Sequence, residues 1–277
     1  MAEQLLYTTV RIEAFSDSGI KSQGTGFLMN YEHEGKNFPF LVTNKHVVEG
    51  YSRVSLIFTE RINDSPIMGS KCVFDTDDAA SFFHCNPDPE IDVAVAFFHP
   101  VCQQFEAVGK TLFFRSIQPQ LVPDDAAIEA LDAIEEVIFV GYPSGLWDEK
   151  NLLPIVRKGT TATPVSVDFN GKKQFLIDAS IFPGSSGSPV FIYNSGACPD
   201  KYGNVNIGTR LLFIGIVSAS HIRTECEKVI LQTEPSAAEQ IILTRQFINL
   251  GVVFKYSAIR DTMLVALRAA GEYAKSP

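Results

Sequence analysis

The stretch Phe182–Val190, reading Phe-Pro-Gly-Ser-Ser-Gly-Ser-Pro-Val, constrains this chain more than any other. Apolar triplets flank it, Phe175-Leu176-Ile177 before and Val190-Phe191-Ile192 after, and both read as strands. The chain must therefore turn tightly between them. Gly184 and Gly187 allow backbone angles that a side chain forbids, so Ser186 can present an uncovered hydroxyl while amide N–H groups converge on one point. The N–H groups of Gly184 and Ser186 can hold an oxyanion there, whereas Pro183 has no N–H to offer.

A serine hydroxyl is a weak nucleophile at neutral pH and needs a base within hydrogen-bond reach, itself oriented by an acid. Upstream, Leu41-Val42-Thr43-Asn44-Lys45-His46 ends an apolar strand in a histidine, and Asp92 stands at the mouth of the strand Val93–Phe97. The order His46, Asp92, Ser186, with separations of 92 − 46 = 46 and 186 − 92 = 94 positions, suits a base and acid on one barrel and a nucleophile on the next. Four motifs now stand in order: Gly24-Thr25-Gly26-Phe27-Leu28, Thr43-Asn44-x-His46-Val47, Asp92-Val93-Ala94-Val95, and Asp178-Ala179-Ser180-x-x-Pro183-Gly184-x-Ser186-Gly187-x-Pro189. Together they cover most of residues 20–220 and resemble the trypsin-like, chymotrypsin-fold serine peptidases, most closely the bacterial glutamyl endopeptidases and high-temperature-requirement proteases.

The fold class expected is all-β, two six-stranded antiparallel β-barrels of the chymotrypsin kind with a C-terminal α-helix. Strands are read at 5–13, 24–30, 38–43, 54–59, 71–74 and 91–98 for the first barrel, with one helical turn at Val47-Val48-Glu49 stopped by Gly50. The segments 136–141, 153–164, 174–179, 188–193, 211–219 and 251–255 supply the second. The domain reading is 1–100 for the barrel with His46 and Asp92, 101–134 for a connector, 135–256 for the barrel with Ser186, and 257–277 for a helix capped by Ser257. Within the connector, Pro123-Asp124-Asp125 opens a helical segment with Ile128, Leu131 and Ile134 at helical spacing. Three polar stretches, 75–90, 194–208 and 221–238, read as long loops.

Composition narrows the function classes. A formal charge of −9 argues against a nucleic-acid or anionic-membrane surface, either of which needs clustered Lys and Arg. The longest apolar run, Leu211–Ala219, is about half of what a membrane-spanning helix needs. The start Met1-Ala2-Glu3-Gln4 lacks the basic end and apolar core of a signal peptide, so a cytoplasmic protein, or one trimmed of its leader, is expected. The five cysteines, Cys72, Cys85, Cys102, Cys198 and Cys226, are odd in number and irregularly spaced; free thiols are expected, with a Cys72–Cys85 disulfide as the alternative. No metal-ligand spacing is present.

The resemblance implies catalytic roles for His46, Asp92 and Ser186, an oxyanion hole from Gly184 and Ser186, and no metal or cofactor. It also implies that Ser218 supports Asp92, and that the backbone of Ser218, Ala219 and Ser220 pairs with an extended polypeptide substrate. Ser180 falls at the floor of the specificity pocket; without a carboxylate there, and with Ile181 as apolar wall, uncharged side chains of small to medium size are expected. Asp178, if turned inward, would instead favour Lys or Arg. Secreted trypsins are switched on by a new amino terminus that pairs with an aspartate beside the nucleophile. Here that position is Ser185, so activity is expected to be constitutive or gated by a protein partner or by loop ordering. Two other classes stay in view. One is a catalytically silent peptidase-fold binding module; the other, an acyl hydrolase with a nucleophile elbow, would need Gly-x-Ser-x-Gly and a histidine last in the chain.

Overall fold

Two runs of apolar strands, one ending at Phe113 and the other starting at Glu136, each pair among themselves and so make two antiparallel sheets. The computed structural model describes residues 2–16, 19, 21–229 and 240–271. The first run contains β1 (Thr9–Phe15), β2 (Lys21–His33), β3 (Lys36–Thr43), β4 (Arg53–Ile62), β5 (Ser65–Thr76), β6 (His84–Cys85), β7 (Ala94–Phe97) and β8 (Leu112–Phe113). They pair in the order β5-β4-β1-β2-β3-β7-β6, with β8 against β4. Six of the eight are the expected strands; β6 and β8 are two-residue additions. Three short helices interrupt this half: α1 (Lys45–Val48), α2 (Ala79–Phe82) and α3 (His99–Glu106).

After α4 (Asp125–Glu129) come β9 (Glu136–Gly141), β10 (Ile155–Thr161), β11 (Gln174–Asp178), β12 (Pro189–Pro199), β13 (Val205–Val229) and β14 (Gln240–Lys255). These close into a six-stranded barrel in the order β10-β11-β14-β13-β12-β9. The helix α5 (Tyr256–Ala269) follows directly. Its buried stripe of Ile259, Met263 and Leu267 packs in one cluster with Phe27, Phe40 and Val42 of the first sheet and with Phe191, Phe213 and Ile216 of the barrel. The fold is thus mostly β, two antiparallel sheets and a C-terminal helix, as expected. Among the described residues no helix is long and apolar enough to cross a membrane.

Several local expectations are corrected. The first expected strand is in part a 3-10 helix, Ala2–Tyr7, and β1 starts at Thr9. The stretch 75–90 is not one loop: Asp78 caps α2 by accepting the Ser81 N–H at 3.1 Å, and β6 follows. Residues 194–208 form a hairpin, with β12 and β13 paired from Tyr193↔Leu211 out to Pro199↔Val205. Residues 221–229 are likewise strand, because β13 and β14 stay paired to Val229↔Gln240; residues 230–239 lie outside the described residues. In the connector, α4 is a little over one turn and Ile134 is exposed, while α3 was not anticipated. Helix α5 begins at Tyr256 with Lys255 as its N-cap and no side-chain cap, so Ser257 does not cap it, and residues 272–277 of the expected helix lie outside the described residues. Cys72, Cys85, Cys102 and Cys198 are free thiols, and the side chain of Cys226 lies outside the described residues.

Phe213 ties the two halves together. Its ring, fully buried, stands 5.3 Å from Phe27 of the first sheet, 5.6 Å from Phe191 of the barrel and 6.3 Å from Tyr256 of α5. Phe213→Ala is expected to lower the unfolding free energy by about 3–5 kcal/mol, the usual cost of truncating a buried aromatic, as read from urea denaturation.

Candidate active site

Strands β3 and β7 pair antiparallel, with Thr43 opposite Ala94. The chain leaves β3 three residues before His46 and enters β7 two residues after Asp92, so both side chains emerge at the same end of the pair. Asn44 keeps extended angles and α1 starts at Lys45, which swings His46 out of the sheet with its side chain half exposed. The histidine Nδ1 lies 2.6 Å from Asp92 Oδ2, and the His46 backbone N–H donates to Asp92 Oδ1 at 3.1 Å. Ser218 donates its hydroxyl to Asp92 Oδ2 at 2.5 Å. Asn44 Nδ2 holds the Asp92 carbonyl at 2.6 Å.

Burial by itself would raise the Asp92 carboxyl, but the hydrogen bonds from His46 and Ser218 and the charge of the ring outweigh it and hold the carboxyl below the usual range. Asp92 is therefore ionised at neutral pH. Because an ionised carboxylate only accepts, a neutral His46 ring facing it carries its proton on Nδ1, which leaves the Nε2 lone pair free.

The serine turn is built from the other barrel and clamped by the first sheet. Gly184 has φ 86°, and a Cβ there would stand 2.4 Å from the Tyr142 carbonyl oxygen. Gly187 has φ 90°, and its Cβ would stand 1.7 Å from the Thr25 carbonyl oxygen. Both positions require glycine. The clamp is Thr25, fully buried: its N–H donates to the Ser186 carbonyl at 2.8 Å and its hydroxyl to the Gly184 carbonyl at 2.9 Å. The same hydroxyl accepts the Tyr142 N–H at 3.1 Å, and the Thr25 carbonyl accepts the Thr43 hydroxyl at 2.8 Å. Among the described residues, the N–H groups of Gly184 and Ser186 have no protein acceptor. The Ser186 hydroxyl donates to the Ser218 carbonyl at 2.8 Å rather than to His46.

Two of the cavities bear on the site. One of about 330 Å³ opens beside Gly184 and is lined by Gln23, Ser144, Gly145 and Pro183 as well. The other, about 460 Å³, lies between α4, mid-β13 and the start of α5, lined by residues such as Ile128, Phe213 and Tyr256, and touches none of the three candidate catalytic residues. Ser180 is half buried in the segment between β11 and the serine turn. Ile181 packs into the barrel core, where a Cβ on Gly251 would meet it at 2.7 Å, and Asp178 points to solvent. Ala219 and Ser220 have backbones paired with Val252 and Gly251; their side chains lie outside the described residues.

The sequence profile of the trypsin-like peptidase domain matches residues 24–198, from the clamp strand through the serine turn. This chain belongs to the trypsin-like peptidase family. Solved structures similar to it include a scabies mite inactivated protease paralogue, S-I1 (12% identity over 96% of this chain and 96% of that chain, TM-score 0.46). Others are HL collagenase (13%, 96% and 94%, TM-score 0.46) and the protease Anisep from Arthrobacter nicotinovorans (12%, 93% and 94%, TM-score 0.44). No curated protein sequence is significantly similar to the chain.

Thr25 and Asn44 belong to the sequence motifs, but the motifs alone do not show that Thr25 clamps the serine turn or that Asn44 holds the Asp92 carbonyl. A signal existed for Thr25: a hydroxyl residue between two glycines in an apolar strand is an unusual choice unless that hydroxyl is bonded. Thr25→Val keeps the shape but strips the Gly184 carbonyl and the Tyr142 N–H of their partner. It is expected to cost about 1–3 kcal/mol in urea unfolding. The depressed Asp92 carboxyl predicts a further pH effect. Its contribution to stability is fully present above the unfolded-state value of about 4 and is lost as pH falls through the lower folded-state value. The stability gap between the parent protein and Asp92→Asn should therefore be widest near neutral pH and narrow in acid, measured by denaturation at several pH values.

Proposed function

We propose that this chain is a serine endopeptidase that hydrolyses polypeptide through an acyl-enzyme on Ser186. The observation that carries the reading is the ionised Asp92 holding His46 Nδ1 at 2.6 Å, beside a serine turn with two unused N–H groups. In the reaction, Ser186 Oγ leaves the Ser218 carbonyl, gives its proton to His46 Nε2 and bonds to the substrate carbonyl carbon. The carbonyl oxygen, now negative, takes the N–H groups of Gly184 and Ser186. His46 then protonates the departing amine, the C–N bond breaks, and water repeats the sequence to release the acid. No metal or cofactor enters these steps.

The backbone of Ser218, Ala219 and Ser220 would receive the substrate as an added strand. Ser180 as an uncharged pocket floor would favour Ala, Val, Leu or Met before the cut, with modest discrimination, since one methylene is worth about 1–3 kcal/mol in an apolar pocket. The motifs keep their likeness to the glutamyl endopeptidases and high-temperature-requirement proteases, and the reading places the enzyme in a bacterial cytoplasm. There a constitutive peptidase would be hazardous, which favours gating by a protein partner or by ordering of a loop. Ser185, buried beside the nucleophile, offers no carboxylate for a freed amino terminus.

One observation favours a second reading, a silent binding module: the Ser186 hydroxyl rests on Ser218 and not on His46. A fluorophosphonate separates the two. Active enzyme should label at Ser186, and Ser186→Ala should abolish both labelling and cleavage of a peptide library, with His46→Ala nearly as severe and the two losses not additive. Absence of labelling in the folded parent protein, with and without added cell extract, would leave the binding module standing.

A further inference from the structure

The loop that carries Asp92 is fastened from a side that takes no part in the chemistry. It leaves β6 at Cys85, returns into β7 at Ala94, and is closed at its base by the Asn86 N–H donating to the Val93 carbonyl at 3.0 Å. Asn86 is 6% exposed and uses both ends of its amide. Its Oδ1 accepts the Asp88 N–H at 2.9 Å, inside the loop, and its Nδ2 donates to Thr262 Oγ1 at 2.8 Å, in the middle of α5. Thr262 is 0% exposed and gives its own proton to the Ala258 carbonyl at 2.9 Å. One rotamer satisfies both bonds.

From the opposite flank, Lys45, next to His46 in the chain, donates its Nζ to the Asp88 carbonyl at 2.7 Å. The apolar members of the loop, Ile91 and Val93, pack in the same cluster as Ile259, Met263 and Ala266 of α5. On that apolar face of the helix a hydroxyl is the costly choice and an aliphatic side chain the cheap one, unless the hydroxyl is bonded. Thr262 is bonded twice, donating to Ala258 of its own helix and accepting from Asn86 of the Asp92 loop.

We infer that Asn86 and Thr262 are positioning residues for Asp92, which makes the C-terminal helix part of the apparatus that aims the His46 imidazole. The inference rests on the triad reading above. Without the Thr262 hydroxyl, the Asn86 amide is buried without an acceptor and must rotate to find one, taking Asp88 and the chain leading to Asp92 with it. Because the carboxylate grips His46 through two bonds of 2.6 and 3.1 Å, a displacement well under the length of a bond alters the aim of the ring.

The test uses the full-length protein, the rate of fluorophosphonate labelling at Ser186, and thermal unfolding alongside. Thr262→Val is expected to slow labelling by about 10- to 100-fold, and Thr262→Ser, which keeps the hydroxyl, to restore the parent rate. In an Asp92→Asn background Thr262→Val should cost nothing further, since the two act on one aspartate. Labelling at the parent rate in Thr262→Val overturns the inference. So does a loss of equal size with and without Asp92, which would mark a structural effect alone. If Thr262→Val does not fold, Asn86→Ala run through the same cycle decides. Should Asp92→Asn and His46→Ala themselves label at the parent rate, the triad reading fails, and that result is distinct from failure of the Thr262 inference.

Discussion

Everything at the site hangs on the seam that Thr25 makes between the two sheets. Its N–H and hydroxyl hold the carbonyls of Ser186 and Gly184, while its own carbonyl takes the hydroxyl of Thr43, three residues before His46. The serine turn and the histidine strand are thereby referred to one buried residue. Hydrogen bonds across such a seam add little net stability each, but leaving one unmade in the interior is expensive. That asymmetry makes relative sliding of the sheets costly, even though most of the cohesion comes from the apolar cluster around Phe213 and α5.

Ser218 performs a second kind of joining. Its hydroxyl serves the Asp92 carboxylate and its carbonyl receives the Ser186 hydroxyl, so the proposed base-orienting acid and the proposed nucleophile meet at one residue of β13. The first bond helps keep Asp92 ionised against its burial. The second keeps a buried-edge carbonyl satisfied when no other donor is at hand.

How much of this was legible in the sequence depends on whether a residue's partner is local. The strand over Phe38–Thr43 is readable because both its faces are covered, Phe40 and Val42 in one apolar cluster and Leu41 in the other, which the sequence records as a short continuous apolar run. His46, Asp92 and Ser186 stood out because each sits in a short motif whose neighbours set its geometry. The ribbons at 194–208 and 221–229 read as loops in the sequence for the converse reason. The first extends beyond the barrel, where Val205 and Ile207 are exposed, so polar composition says nothing about its pairing. Helix α3 escaped because only Val101 and Phe105 of its eight residues are buried, and two apolar positions do not make a period. Asn86 and Thr262 carry no sequence signal of their pairing because they lie 176 residues apart, and Thr25 shows only that its hydroxyl needs a partner, not that the partner is Gly184, 159 residues on.

On the proposed mechanism, the resting bond between Ser186 and the Ser218 carbonyl also imposes an order of events. A hydroxyl that donates to a main-chain carbonyl cannot donate its single proton to His46 at the same time. An extended substrate pairing with the backbone at Ser218 brings a donor of its own to that carbonyl, and the serine proton is then released toward Nε2. Binding and activation become one step, since the group that receives the substrate is the group that held the nucleophile. A small ester or a fluorophosphonate has no backbone N–H to offer and reacts only when the resting bond opens by itself, whereas a polypeptide carries this lever at every residue. The arrangement therefore favours long, extended chains over small acyl compounds without any contact to a side chain.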